Sequence, residues 1–319
     1  MDTNQLPPIN ELECFLGKKL ILENGVISSS DLLEYQALQD ERKQELLTVL
    51  DKNIQTKAPS LNLSNAPSGS KSFYLWLTGK EPELECLTEF YWLEEIKLGS
   101  YYKTFSGKDN LFEPLVQIPP LPKQLKVLSI DGGQIKNTQN LLNVPSLQKL
   151  KLYICQIEDV SDVGKLDKLQ YLDLSYNKSF LTDLSPLANL KNLKSLQIKF
   201  CEIKNIDALA NLTELEELDA TYCGISDINP LKNLKKLHTL NLSRNSITDI
   251  TVLENLVLLH KLDLSTNQIL EIDILAKLNI KDLIIKENPV GEAINQALGK
   301  NSKRFPTKKE VKVYLNQVK

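Results

Sequence analysis

The stretch "LHTLNLSRNSITDITVLENLVL", residues 237–258, changes its hydrophobic period part-way along. Its first half, LxxLxL, alternates apolar and polar residues and suits a short strand with one buried face. Its second half, "ITDITVLENL", spaces apolar residues by three, as a 3-10 turn or a short helix does. The same frame recurs, starting at Leu125, Leu147, Leu169, Leu193, Leu215, Leu237 and Leu259. The step is 22 residues each time except between Leu169 and Leu193, where it is 24 and "NKSFLTDL" (177–184) holds the two extra residues. A shortened eighth unit follows at "IKDLIIKENP" (280–289). In "DLSPLANL" (183–190) and "DINPLKNL" (227–234), a proline stands where the turn begins, the one place a helical turn accepts it.

One such unit cannot bury its own leucines. Stacked units bury them against each other, with the strands side by side in a parallel sheet. The expected fold is α/β: a leucine-rich repeat solenoid with a parallel sheet on its concave face, 3-10 turns or short helices on its convex face, and helical caps. Four regions follow. Residues 1–92 read as a mainly helical N-terminal region with degenerate, repeat-like strands, and 93–124 as a divergent first repeat with a Pro-rich connection, "EPLVQIPPLP" (113–122). Residues 125–290 are the regular array, and 291–319 a C-terminal helical cap. In the first region Asp31 to Lys52 reads as an amphipathic helix capped by Ser30 or Asp31, "APSLNLSNAPSGSKS" (58–72) as a loop, and 83–92 as a helix. Leu75/Leu77 and Ile96/Leu98 form strand-like pairs 21 residues apart. In the cap, Thr307 and Glu310 predict a capping box, and Val311, Tyr314, Leu315 and Val318 fall on one helical face.

The bulk properties exclude several classes. The 319 residues are 42% hydrophobic and 25% charged, enough to bury a large core. The net charge is −3, although residues 299–319 carry +6, leaving −9 on the rest. Only two aromatics, Phe305 and Tyr314, stand among those basic residues, too few for a platform of stacked bases, so nucleic acid is not expected as a partner. The start, "MDTNQLPPINELECFLGKKL", does not read as a signal peptide, and no window suits a membrane span. The five cysteines (Cys14, Cys86, Cys155, Cys201, Cys223) include no CxxC, which fits a reduced, cytoplasmic chain. A monomer is expected.

Two columns of the repeat stand out. The ninth position holds Gly133, Cys155, Asn177, Cys201, Cys223, Asn245, Asn267 and Asn288. Asparagine there can satisfy backbone groups stranded inside a turn, and a buried cysteine can replace it as a weak donor, so this column predicts a structural ladder of free thiols and amides. The eighth position holds Gly132, Ile154, Tyr176, Phe200, Tyr222, Arg244, Thr266 and Glu287. With Tyr153 and Tyr171 it predicts an exposed apolar and aromatic stripe, and Tyr, Phe and Arg are the residues that dominate binding hot spots. The expected partner-binding residues are therefore Tyr153, Ile154, Tyr171, Tyr176, Phe200, Tyr222 and Arg244. Catalytic signatures such as GxxxxGKS, GxSxG, HExxH and GxGxxG do not occur. His238 and His260 line up with Glu216 on successive units, but Glu216 and His260 should be ~10 Å apart, too far to share one ion. No cofactor or metal is expected.

The run "LANLTELEELDATYCGISDINPLKNLKKLHTLNLSRNSITDI" makes units 147–279 resemble the 22-residue leucine-rich repeats of the bacterial internalins. Internalins are secreted or surface-bound and grip host proteins on the concave sheet. The resemblance implies a non-enzymatic protein-binding module. Without a visible export signal, the chain is expected in the cytoplasm or delivered to a host cell by a signal-independent route. The C-terminal "ENPV…FPTKKEVKVYLNQV" also looks like the end of the repeat arrays in Roco proteins, which implies an alternative, the sensor part of a larger signalling protein. The remaining alternative is an enzyme whose catalytic region lies unrecognised in residues 1–124.

Overall fold

The computed structural model of the chain describes residues 22–23, 26–27, 60–62, 95–99, 117–300 and 305–318. The chain divides into two compact units, Met1–Gln156 and Ile157–Lys319.

In the first unit, β1 (Leu22–Glu23) and β2 (Val26–Ile27) pair antiparallel, with Asn24-Gly25 between them. Asn-Gly between two short apolar runs is a strong hairpin signal that the repeat-centred reading passed over. The strands β3 (Ser60–Asn62), β4 (Glu95–Gly99), β5 (Val127–Asp131) and β6 (Lys149–Tyr153) form a parallel ladder in that order. Ile96 and Leu98 are fully or almost fully buried, as their pairing in a degenerate repeat requires. One expectation is corrected. The stretch 58–72 was expected to be a loop, yet its Ser60–Asn62 segment is the strand beside β4, with Leu61 opposite Ile96. "LNL" carries the same alternation as the later repeats, and cross-strand pairing outweighs the Pro and Ser around it. The expected helices at 31–52 and 83–92 and the Leu75/Leu77 pair lie outside the described residues.

The second unit repeats one motif. Strands β7 (Tyr171–Asp173), β8 (Ser195–Gln197), β9 (Glu217–Asp219), β10 (Thr239–Asn241), β11 (Lys261–Asp263) and β12 (Asp282–Ile284) are parallel and in register, leucine opposite leucine: Leu172, Leu196, Leu218, Leu240, Leu262, Leu283. After each of the first five strands comes a 3-10 turn, at Ser185–Asn189, Asp207–Asn211, Asn229–Asn233, Thr251–Asn255 and Asp273–Lys277. Pro186 and Pro230 sit in the first turn of theirs, as the sequence predicts. An earlier turn, Val163–Lys165, carries Gly164, where an added Cβ would lie 2.1 Å from the carbonyl oxygen of Pro186. Glycine there permits adjacent turns to approach closely.

The C-terminal cap consists of two helices, α1 (Val290–Ala297) and α2 (Lys308–Gln317). Val290 and Ile294 of α1 are buried. The Thr307–Glu310 capping box opens α2: the Thr307 hydroxyl accepts from the Glu310 N–H, and the Glu310 carboxylate accepts from the Thr307 N–H at 2.6 Å. Val311 is buried and the Tyr314 hydroxyl donates to Asp273 at 2.7 Å, tying α2 to the last 3-10 turn. Val318, expected on the same closing face, is 38% exposed, because it follows the last helical residue.

Candidate functional site

The ninth-position column runs through the interior at the exit of each strand. Asn245 shows the full arrangement. Its Nδ2 donates to the carbonyls of Ala220 and Leu242, both at 2.9 Å, and its Oδ1 accepts the N–H groups of Cys223 and Ile225 at 3.1 and 3.0 Å. Asn267 and Asn288 repeat both donations and accept one N–H each, from Ile247 and Ile269, and Asn177 donates to the Leu174 carbonyl and accepts the Ile157 N–H. The cysteines keep the donor half alone. Cys155 donates to the Ile130 carbonyl at 3.4 Å, Cys201 to Leu174 at 3.2 Å and Cys223 to Ile198 at 3.0 Å. All three are buried, free thiols. Burial pushes the Cys201 thiol up to about 11 and the Cys223 thiol up to about 12, the opposite of what a nucleophile needs.

The eighth-position column has a feature that the sequence does not announce. Ile154, Tyr176, Phe200, Tyr222, Arg244, Thr266 and Glu287 all have left-handed backbones, with φ between 53° and 63°. Such a residue costs roughly 1–2 kcal/mol unless it is glycine. The conformation is held by a repeated bond, in which the N–H of the eighth residue donates to the carbonyl of the seventh residue of the next unit: Tyr176 to Lys199 (2.7 Å), Phe200 to Thr221 (2.8 Å), Tyr222 to Ser243 (2.9 Å) and Arg244 to Ser265 (2.8 Å). Gly132, with φ 91°, was the only hint in the sequence of what this backbone prefers.

That geometry turns three rings outward in a row. Tyr176 and Phe200 stack with centroids 4.7 Å apart and planes 16° from parallel, and Phe200 meets Tyr222 at 5.1 Å and 31°. Tyr176 is 41% and Tyr222 44% exposed. Lys178 Nζ lies 5.4 Å from the Tyr222 ring centre, a cation–π contact absent from the expected set. Arg244 follows in the column and is exposed. The other expected residues sit differently. Tyr171 is half-buried at the start of β7, its hydroxyl pushed up by burial and then by Asp173 and Glu217. In the first unit, Tyr153 is half-buried with the Lys151 ammonium 4.7 Å from its ring centre, and Ile154 is half-buried.

The polar residues of the strands are largely occupied with one another. Asp219 Oδ1 accepts from the N–H and hydroxyl of Thr221, Asn241 Oδ1 does the same for Ser243, and Asp263 Oδ1 for Ser265. Lys194 holds the half-buried Glu216 carboxylate below its usual range, with a smaller contribution from His238, whose Nε2 lies 3.7 Å away. His260 instead bonds the Leu258 carbonyl through Nδ1. Among the described residues no group of three or more His, Cys, Asp and Glu side chains gathers to hold a metal ion. No helix among them is long and apolar enough to cross a membrane.

Comparison with known proteins agrees with this geometry. The family described as "Leucine Rich repeats (2 copies)" matches overlapping pairs of units from 145–189 to 235–277. A solved internalin (inlF) of Listeria monocytogenes is 30% identical with a TM-score of 0.55, over 64% of this chain and 58% of its own. The chain thus spans little more than half of that relative. Internalin C2 (inlC2) of Listeria monocytogenes is 34% identical with a TM-score of 0.50, over 51% of this chain and 72% of its own. The LRR ectodomain of the Arabidopsis thaliana receptor kinase GASSHO1/SCHENGEN3 shares the fold, at 23% identity and a TM-score of 0.51 over 72% of this chain and 27% of its own. Comparison with curated protein sequences returns no match.

Proposed function

The chain belongs to the internalin-type leucine-rich repeat family, and from that premise we propose that it is a non-enzymatic module that grips a partner protein on the concave, strand-bearing side of the repeats. In the second unit the surface comprises Tyr171, Tyr176, Phe200, Tyr222 and Arg244, with the Tyr176–Phe200–Tyr222 stack at its centre; in the first unit, Tyr153 and Ile154 are the proposed partner-binding residues. The observation that carries this reading is the stack itself. Three aromatic side chains occupy left-handed positions that favour glycine, two of them are more than two-fifths exposed, and none belongs to the leucine core. The backbone does not ask for them and the core does not use them, so their role is on the surface. Because the ladder holds the strands before any partner arrives, little conformational entropy is lost on binding. The free, buried thiols favour work in a reducing compartment, in a bacterial cytoplasm or inside a host cell.

A photo-reactive phenylalanine analogue at position 222 tests the surface. The partner should cross-link there and not from an exposed convex position such as Lys232. Equal cross-linking from both, or cross-linking from position 232 alone, would move the interface off the ring row.

A further inference from the structure

The charge around the stack says what kind of partner it suits. Arg244 is the single arginine between Leu125 and Val290. It comes directly after Ser243, whose carbonyl holds the Tyr222 N–H at 2.9 Å, so its backbone is the next in the column after the last ring. Its left-handed backbone, φ 58°, repeats that of the rings. Among the described residues it has no ion-pair partner, whereas the two lysines near the rings do: Lys178 reaches Glu202 at 3.9 Å and Lys199 reaches Asp219 at 3.7 Å. Asp219 is further occupied by the N–H and hydroxyl of Thr221. Lys204, whose side chain lies against Gly224, also has no ion-pair partner among the described residues, so the corner carries two uncompensated cations, one of them a guanidinium, a planar fork that matches a carboxylate.

The same corner has an opening. Two residues after the three rings stand Lys178, Glu202 and Gly224, and two after Arg244 stands Ser246. Gly224 is exposed, with φ 80°, and an added Cβ would meet only the Lys204 side chain, at 3.6 Å. Residue 224 itself therefore puts no side chain beside Tyr222, where Lys178 and Glu202 follow Tyr176 and Phe200, and the corner is bordered by the stems of two lysines, Lys204 next to Gly224 and Lys178 next to the ring.

We infer that the Tyr222–Gly224–Arg244 corner takes a protein segment carrying an acidic side chain next to an apolar one, the apolar group on the Tyr222 edge above Gly224 and the carboxylate on the Arg244 fork. This rests on the ring-stack reading and adds the chemistry of the partner.

The test is selection of a displayed random heptapeptide pool on the full-length chain and on three variants with unchanged melting temperatures: Arg244→Gln, Gly224→Asn and Tyr222→Ala. Asparagine tolerates the left-handed backbone while filling the opening. Wild type should enrich sequences pairing Asp or Glu with an apolar neighbour. Affinity for the best synthetic peptide should fall about 10- to 100-fold in Arg244→Gln, the range a charge-assisted hydrogen bond is worth. It should fall in Gly224→Asn as well, and added salt should weaken wild type more than Arg244→Gln. An enriched family without an acid, lost in Tyr222→Ala but kept in Arg244→Gln, overturns the acidic partner and leaves the ring surface standing. A family indifferent to all three variants overturns both. No enrichment over a chain-free control overturns the inference, as does a single-stranded oligonucleotide that outcompetes the best peptide for wild type.

Discussion

A cysteine in the ninth-position column is half an asparagine. It keeps a donor for the carbonyl of the preceding unit and gives up the carboxamide oxygen that gathers two N–H groups. With thiols pushed up to about 11 and 12 by burial, Cys201 and Cys223 should resist a thiol reagent at mildly alkaline pH in the native protein and react at once when it is denatured. Rapid native labelling of either would remove it from the ladder. At Gly164 the argument is steric. Gly164→Ala forces a methyl group onto the Pro186 carbonyl and should cost about 1–3 kcal/mol, measured by denaturant unfolding. A neutral result would mean that the two turns separate freely. The ladder was legible because asparagine and cysteine recur every 22 residues. The left-handed row beside it was not, because Tyr, Phe and Arg are residues that no backbone rule assigns to positive φ.

Among the elements, the strands were legible from LxxLxL and the 3-10 turns from their three-residue spacing, since both periods are set by which face must be buried. β3 was not, because "LNL" at 61–63 is a single alternation set among Pro and Ser, and only pairing with β4 makes it a strand. The capping box was legible from Thr307 and Glu310, but the tether from Tyr314 to Asp273 spans 41 residues and depends on where α2 docks. That tether has a pH dependence. The hydrogen bond to Asp273 pushes the Tyr314 hydroxyl up to about 12, against about 10 in an unfolded chain. A raised pKa means the contribution is complete below about 10 and is lost as pH climbs through 12. The melting difference between wild type and Tyr314→Phe should be constant from neutral pH to about 10 and close by about 12. A difference that has vanished near neutral pH would mean that the hydroxyl is free in solution.

For the whole molecule, the repeat makes stability a neighbour-to-neighbour property. Leu218 is 1% exposed and lies between Leu196 and Leu240 in the ladder. Leu218→Ala should cost about 2–5 kcal/mol and raise hydrogen exchange in β8 and β10 as well as β9. Exchange confined to β9 would contradict a shared core. The central claim is that the ring row serves a partner and not the fold, and a triple glycine variant at Tyr176, Phe200 and Tyr222 tests it most directly. Glycine relieves about 1 kcal/mol of left-handed strain at each position, which offsets the roughly 0.5–1.5 kcal/mol of each lost ring contact. The account predicts a melting temperature within about 5 °C of wild type, by the usual scaling for a unit of this size, together with loss of the partner that cross-links at position 222. A variant that unfolds well below wild type, or one that melts normally and still binds that partner at full strength, would contradict it.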